Sequence, residues 1–492
     1  MDFETCIASH SSVLMEGALG ERLKREYGLT INGSVAMADL IYSQQGRLAL
    51  ETLWRGYMGI AEKYNLPFLA TTPTRRANKQ QVIQAGYDYG ANTHASVAHT
   101  YKVESKTKKP GKYMDIMGNK ATAYGFIAAA EKAGKRLFLG SYPITPATDV
   151  LHELSKHKSL GVTTVQCEDE IAGCASSIGA SFAGALAVTS TSGPGVCLKS
   201  EAMNLAVITE LPLVILNVQR GGPSTGLPTK SEQTDLLQAL FGRNGESPMP
   251  VIAATSPTNC FDAAYYASKM ALEHMTPVVL LTDAFVANGS GAFKLPDLND
   301  YPDICPPYVT PEMAGSYTPY MRNPDTQVRY WAIPGQEGYM HILGGLEKDG
   351  RTGAISTDPE NHDKMCRLRA EKVARIPVPD VEVQGCVDDA ELLIVGFGGT
   401  YGHLHSAMDE MVATGKKVAL AHFSYLNPLP ANTAEVLKRY KKVVVAEQNL
   451  GQFAAYLRMK VDGFVPYQFN QVKGQPFVVS ELVAAFTEIY NK

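Results

Sequence analysis

The chain has 492 residues, with 45% hydrophobic residues, 19% charged residues and a formal net charge of −4. That length exceeds what one core serves, so several domains are expected, and the composition is that of a soluble globular protein. A weakly acidic chain without a basic run has no general attraction for nucleic acid, no apolar stretch reaches the roughly 18 residues of a membrane span, and the acidic start MDFETCIASHSS lacks an apolar signal region, so a cytoplasmic protein is expected.

In chain order, residues 1–83 read as helical, with Leu14, Leu19 and Leu23, then Leu48, Leu50, Leu53, Trp54, Tyr57, Ile60 and Tyr64, near helical spacing. The short run Leu66–Ala70 suggests a strand. Residues 84–117, with the basic, Pro/Gly-punctuated KVESKTKKPGKY, suggest a linker. From Gly118 the pattern becomes a regular alternation. Helices are expected at 121–133, 147–156, 170–183, 198–209, 233–241 and 258–274, and strands at 136–139, 162–166, 186–191, 213–219, 251–254 and 278–282. Apolar strands separated by amphipathic helices predict a parallel sheet covered on both faces over residues 118–289. Residues 290–375 are a connecting segment rich in Pro, Gly and Tyr, ending in a helix at 362–374. A second α/β block follows over 376–492, with strands at 392–397, 417–422 and 443–447 and helices at 401–413, 433–440, 452–461 and 480–489.

Ligands of such sheets bind beyond the C-terminal ends of the strands, and four loops there are unusual. The first runs Gly140-Ser141-Tyr142-Pro143-Ile144-Thr145-Pro146-Ala147-Thr148. Its plain reading is a helix start, with Thr145 as N-cap and Pro146 in the first turn, although a capping Thr also offers donors to an anion. The second brings Glu168, Asp169 and Glu170 together at a helix start, where acids complement the helix dipole. The third, Thr191-Ser192-Gly193-Pro194-Gly195, reads as a turn that admits close backbone approach. The fourth, from Gln219 and Arg220 through Gly221, Gly222 and on to Thr229, places an arginine at the end of a buried strand. Burying that cation requires an anion, either a structural ion-pair partner or a ligand.

The eight cysteines, Cys6, Cys167, Cys174, Cys197, Cys260, Cys305, Cys366 and Cys386, include no CxxC pair and no four-cysteine cluster, so no iron–sulfur or thiolate zinc set is legible. His403 and His405 alternate on a predicted helix and face different ways, so no metal is assigned. In GFGGTYG the glycines Gly396, Gly398 and Gly402 miss the GxGxxG register by one, which favours a tight strand-to-helix turn over a dinucleotide site.

Taken together, YPITPATD, QCEDEIAG, TSTSGPG and QRGGPSTGLPTKSEQ, in this order and spacing, resemble the pyrimidine-binding domain of 2-oxoacid:ferredoxin oxidoreductase α subunits. The resemblance continues through SPTNCFDAAYYASKMA and TPVVLLTDAF. GFGGTYGHL, HFSYLNPLP and VVVAEQNLGQFAAYLR resemble a transketolase C-terminal-like domain, and GLPTKSEQTDLLQALFGRNGESP looks most like the 2-oxoglutarate enzymes. The resemblance implies an α/β fold: a thiamine-enzyme pyrimidine-binding domain, then a transketolase C-terminal-like α/β domain, with an irregular N-terminal appendage. It implies oxidative decarboxylation of a 2-oxoacid on thiamine pyrophosphate, with coenzyme A as co-substrate and ferredoxin as electron acceptor. Glu168 matches the glutamate that meets N1′ of the aminopyrimidine, Thr145 the threonine facing the 2-oxoacid, and Arg220 the arginine that pairs with its carboxylate. Asp169 and Glu170 stand as alternative carboxylates, and Tyr142, Pro143, Thr148, Ser192, Gly193, Gly221 and Gly222 as further members of the substrate or cofactor loops. The chain contains no GDG diphosphate loop. The resemblance accordingly implies a β subunit that carries Mg2+, the diphosphate and a [4Fe–4S] cluster, in a heterodimer assembled as (αβ)2.

Residues 11–83 resemble the opening of the homocysteine S-methyltransferase (β/α)8 barrel, but only about a quarter of it, and without the zinc-binding cysteine pair. The alternative functions are therefore an incomplete methyltransferase fusion or a non-catalytic assembly protein.

Overall fold

The computed structural model describes residues 14–15, 19–31, 37–64, 68–69 and 109–492. The chain divides into two compact units, Met1–Lys108 and Lys109–Lys492.

In the first unit, strands β1 (Leu14–Met15) and β2 (Phe68–Leu69) pair in parallel. Between them lie a helix at Leu19–Tyr27, a 3-10 turn at Met37–Tyr42 and a helix at Gln44–Lys63. The last is capped by Ser43, whose hydroxyl accepts the Gly46 N–H at 3.0 Å. Leu19, Leu23, Leu40, Ala49, Leu50 and Leu53 form its small core. Leu48, Ile60 and Tyr64, expected on the apolar stripe, are exposed, because the buried face of the long helix runs through Ala49, Leu50 and Leu53. Most of the expected linker, 84–108, lies outside the described residues, as do Cys6 and the remainder of the 66–70 run.

The second unit starts earlier than Gly118. Strand β3 (Tyr113–Met117), inside the expected linker, pairs antiparallel with β10 (Ser290–Lys294), inside the expected connecting segment. Both strands alternate between exposed and covered residues, with Ile116 and Phe293 on the buried side, but each is only five residues long, too short for its periodicity to mark it in the sequence.

The main sheet contains β4 (Leu137–Ser141), β5 (Val162–Gln166), β6 (Leu186–Thr191), β7 (Leu213–Gln219), β8 (Val251–Ala253) and β9 (Pro277–Asp283). Strands β6, β7 and β9 are buried along their whole length, as a sheet covered on both faces requires. The second sheet contains β11 (Val383–Gly385), β12 (Leu392–Phe397), β13 (Val418–Phe423), β15 (Val443–Glu447) and β16 (Tyr467–Asn470), in the order β11-β13-β12-β15-β16. Only β11 runs antiparallel in it.

The two blocks are stitched by β14 (Tyr425–Asn427). It leaves the second block and adds to the edge of the first sheet, pairing Tyr425 with Ile252 and Asn427 with Val251. The main sheet therefore has seven strands, β14-β8-β9-β7-β6-β4-β5. One apolar cluster runs through both blocks, including Leu213, Val251, Leu393, Phe397, Phe423 and Phe453.

The irregular segment is held by charge. Glu210, in left-handed conformation at a helix C-cap, is almost fully buried and meets both Arg322 and Lys372, the latter at 2.6 Å. Burial alone would raise the Glu210 carboxyl, but Arg322 and Lys372 together hold it well below its usual range. Arg329 adds a hydrogen bond to the Glu210 carbonyl at 3.0 Å. A buried anion facing several cations from residues 322–372 is costly to break, so these contacts specify where the segment lies.

Candidate functional site

From β4 the chain crosses to β5 on one side and returns to β6 on the other, so the strand order reverses between β4 and β6. Such a switch point opens a crevice beyond the C-terminal ends. The β4–β6 register ends at Leu139–Val188, and beyond it the Ser141 hydroxyl reaches the Ser190 carbonyl at 3.0 Å. The strands diverge there, and all four unusual loops surround the opening.

The first loop does not begin the helix as expected. Thr145–Pro146 is a cis peptide and the helix spans Thr148–Leu154, with Ala147 at its cap. The N–H groups of Ala147 and Thr148 and the Thr148 hydroxyl all donate to the Ile144 carbonyl, which closes a turn before the helix. Thr145 is thereby freed from capping and is exposed beside Tyr142 and the half-buried Pro143.

The second loop separates its three carboxylates. Glu168 is exposed. Asp169 is the N-cap, accepting the Ala172 N–H at 2.7 Å. Glu170 is the first helical residue and is buried, on the face shared by Cys174, Ser177 and Ser181. Among the described residues its carboxylate accepts no hydrogen bond. The buried Lys199 lies near enough to feel its charge, and its ammonium donates to the Thr189 hydroxyl at 2.8 Å. Burial pushes the Lys199 ammonium below its ordinary pKa.

The third loop is the first turn of a helix, Gly193–Leu198, rather than a free turn, with Ser192 before it and Pro194 in its opening turn. A side chain at Gly195 would collide with the Thr191 hydroxyl and crowd Glu170, so glycine is required for this helix to approach the carboxylate. Gly193 faces the carboxylate of Asp235 in the same way.

The fourth loop carries Arg220, which is buried yet forms no ion pair among the described residues. Its Nη1 donates to the Thr145 carbonyl at 2.6 Å, and its buried Nε has no partner. Of the two alternatives, a structural ion pair is therefore not formed among the described residues: Asp235, the acid whose charge Arg220 feels, accepts from Asn217 at 3.1 Å, and Arg220 holds the first loop by a hydrogen bond. Burial lowers the Arg220 pKa and pushes the partly buried Asp235 carboxyl up to about 6. Gly221 donates to the Lys230 carbonyl and accepts from Leu227, which ties the base of an otherwise exposed loop running through Gly222.

Further buried polar atoms at this edge lack partners: Ser192 Oγ, Asn217 Oδ1 and Thr282 Oγ1. Buried polar groups are ordinarily paired, so a ligand or ordered water belongs there. Glu170 stood in the sequence only as an alternative to Glu168, and Lys199 and Asp235 were not singled out there. The available signal was the helical face Glu170, Cys174, Ser177, Ser181, which points inward while Glu168 precedes the helix.

The second block holds the fourth loop in place. Gln233 exchanges hydrogen bonds with the backbone of Gln448, its amide donates to the Phe397 carbonyl at 2.7 Å, and Asn449 donates to its carbonyl at 2.9 Å. Gln452 donates to the Thr234 carbonyl at 2.7 Å. The GFGGTYG segment is a tight strand-to-helix turn, as expected, but its glycines serve this seam. A side chain at Gly399 would strike the carboxylate of Asp283, which caps the following helix and accepts from Ser231 at 2.7 Å. His403 rests on the Phe285 ring and His405 pairs with Asp409 at 3.2 Å, so they do not converge. No helix among the described residues is long and apolar enough to cross a membrane.

Residues 129–346 match the family described as "Pyruvate flavodoxin/ferredoxin oxidoreductase, thiamine diP-bdg", and residues 390–479 match "Pyruvate:ferredoxin oxidoreductase core domain II". The 2-oxoglutarate oxidoreductase subunit KorA of Mycobacterium tuberculosis is 51% identical over 401 residues, 81% of this chain and 61% of that protein. The chain thus spans under two thirds of that relative's length. The 2-oxoglutarate synthase subunit KorA of Methanothermobacter marburgensis is 33% identical over 68% of this chain and 88% of its own length. A solved 2-oxoglutarate:ferredoxin oxidoreductase from Magnetococcus marinus, with 2-oxoglutarate, coenzyme A and succinyl-CoA bound, superposes with a TM-score of 0.77 at 30% identity. It covers 91% of this chain and 75% of that one.

Proposed function

The chain belongs to the 2-oxoacid:ferredoxin oxidoreductase family, among relatives of the KorA subunits, and from this we propose that it is the α subunit of a thiamine-dependent 2-oxoglutarate:ferredoxin oxidoreductase. The reaction releases CO2 from 2-oxoglutarate, passes two electrons singly to ferredoxin and leaves the acyl group on coenzyme A. The observation that carries this reading is the crevice between β4 and β6. Its loops hold a buried carboxylate, Glu170, and a buried arginine, Arg220, which among the described residues have no hydrogen-bond donor and no ion-pair partner, respectively.

The crevice suits the aminopyrimidine half of thiamine pyrophosphate. Glycine at 195 lets the helix after β6 pack against Glu170, and Ser192, Asn217 and Thr282 hold unpaired polar atoms. When bound, that cofactor supplies the electron sink needed for loss of CO2. Glu170 holds the proton shared with N1′ of the ring, a task its burial and missing donors fit better than the exposed Glu168. Lys199 places positive charge behind Glu170. Arg220, steadied by the Thr145 carbonyl, receives the substrate carboxylate with its remaining N–H groups, and Thr145, exposed on the adjoining loop, offers its hydroxyl to the same ligand. Gln233, Gln448, Asn449 and Gln452 keep the Arg220 loop from drifting.

Tyr142, Thr145 and residues 222–230 are exposed, so the crevice opens on one side, where a β subunit carrying Mg2+, the diphosphate and a [4Fe–4S] cluster would complete it. Assembly as (αβ)2 and a cytoplasmic location follow from the same reading. The test is reduction of ferredoxin or viologen by the chain alone and with its co-purified partner. Activity is expected only in the complex, with kcat/KM higher for 2-oxoglutarate than for pyruvate or branched-chain 2-oxoacids. Robust turnover by the chain alone, or preference for another 2-oxoacid, would overturn the corresponding part.

A further inference from the structure

Far along the chain from the crevice loops, the connecting segment brings three ligand-type side chains together. Glu347 lies on a loop, and the helix Pro359–Ala374 begins after the Asp358 cap, which accepts the Asn361 N–H at 2.9 Å. His362 and Cys366 are four residues apart on that helix and therefore share a face. Glu347 is locked to the helix twice, by Asn361 donating to the Lys348 carbonyl at 2.9 Å and by Arg369 donating to both Glu347 oxygens at 3.2 and 3.0 Å. His362 Nδ1 lies 2.9 Å from Glu347 Oε2, and the two ring nitrogens lie 3.9 and 3.8 Å from Cys366 Sγ. The three ligand atoms all fall within 4.8 Å of one another. They border a cleft of about 560 Å³ that Asn204, Asn244 and Ser247 also line.

We propose that Glu347, His362 and Cys366 form a site for a thiophilic divalent cation of the zinc class, with a fourth position open to this cleft. Tetrahedral zinc with one sulfur, one nitrogen and one oxygen ligand has ligand–ligand edges of about 3.4–3.6 Å. The two edges that involve the exposed His362 ring need adjustments of a few tenths of an ångström, and the Glu347–Cys366 edge, within 4.8 Å, closes by rotation of the two side chains. Thiolate and imidazole together select zinc-like ions over Mg2+ or Ca2+. One carboxylate and one thiolate balance the dication. Arg369, which also donates to Cys366 Sγ at 3.3 Å, remains on the outer lone pairs of both, the place where supporting donors orient metal ligands. The competing arrangement is a plain Arg369–Glu347 ion pair with His362 at its rim, which holds no metal.

The experiment strips the full-length chain with chelator, adds one equivalent of zinc, removes free metal by desalting and measures retained zinc by mass spectrometry. Stoichiometric retention is expected in the unaltered chain and in Cys305→Ser, whose cysteine is exposed elsewhere. Cys366→Ser and His362→Ala, at positions exposed enough to spare the fold, should each bind at least about tenfold more weakly. Cobalt(II) replacing zinc should give a thiolate-to-metal charge-transfer band that disappears in Cys366→Ser. Substoichiometric zinc, equal retention by Cys366→Ser, or bound cobalt without the thiolate band would each overturn the proposal in favour of the ion pair. Because the readout is metal content and spectrum, its failure is distinct from failure of the oxidoreductase reading.

Discussion

Glu170 and Glu168 stand two residues apart, and substituting each by glutamine separates the two assignments of the proton-handling carboxylate. Glu170 is buried at the crevice, and among the described residues no donor binds its carboxylate, so its contribution is expected to be directed to a ligand. Glutamine keeps its size and removes the anion. General acid–base assistance is worth about 10²–10⁴-fold, or roughly 2.7–5.4 kcal/mol of barrier. The fall should appear in kcat, with KM for the 2-oxoacid little changed. Lys199 loses a compensating charge, so a modest fall in Tm is also expected, and assembly with the partner is confirmed before kinetics. Glu168 is exposed, and its glutamine variant should stay within about twofold of the parent, as surface substitutions do. The assay is steady-state viologen reduction with 2-oxoglutarate by the reconstituted complex. A fully active Glu170→Gln beside a dead Glu168→Gln would refute the inference from burial and return the role to the loop residue.

Three further outcomes are expected. Arg220→Met removes a cation that meets the substrate carboxylate in ground and transition states alike, so KM should rise by a factor equivalent to about 1.5–3 kcal/mol while kcat changes less; an unchanged KM for every 2-oxoacid would assign the arginine to holding the Thr145 carbonyl alone. Burial pushes Asp235 up to about 6 from 3.8, so the folded chain keeps a proton that the unfolded chain has lost, and stability falls as pH rises through that window. Asp235→Asn should therefore melt higher than the parent at pH 8, by on the order of 2 kcal/mol, and show no gain at pH 4; a gain of equal size at both values would point to packing instead. Deleting residues 1–108 should leave one cooperative melting transition, because Lys109–Lys492 contains β3, both main sheets and their shared core; an insoluble product would make the first unit an integral layer.

The covered strands and the helices between them were legible because burial on both faces demands continuous apolar runs, and amphipathic periodicity marks the helices. Strands 162–166, 186–191, 213–219, 392–397 and 443–447 occupy the expected residues. The four loops were legible because glycine, proline and charge cluster at strand ends, where neither helix nor sheet uses them. Pairing partners were not. β14 completes a sheet whose nearest neighbour in space, β8, is more than 170 residues away, and β3 finds β10 across a similar distance. An edge strand satisfies its backbone with whichever chain segment the fold delivers, and no local pattern names that segment. The same holds for charge. Glu210 draws Arg322 and Lys372 from the irregular segment, and Arg220 meets a backbone carbonyl from the first loop in place of an acid. Composition placed three carboxylates at one helix start. Which of them caps the helix, which faces solvent and which points into the crevice was decided by the packing of that helix against β4 and β6, where only small residues fit and only Glu170 is on the inner face.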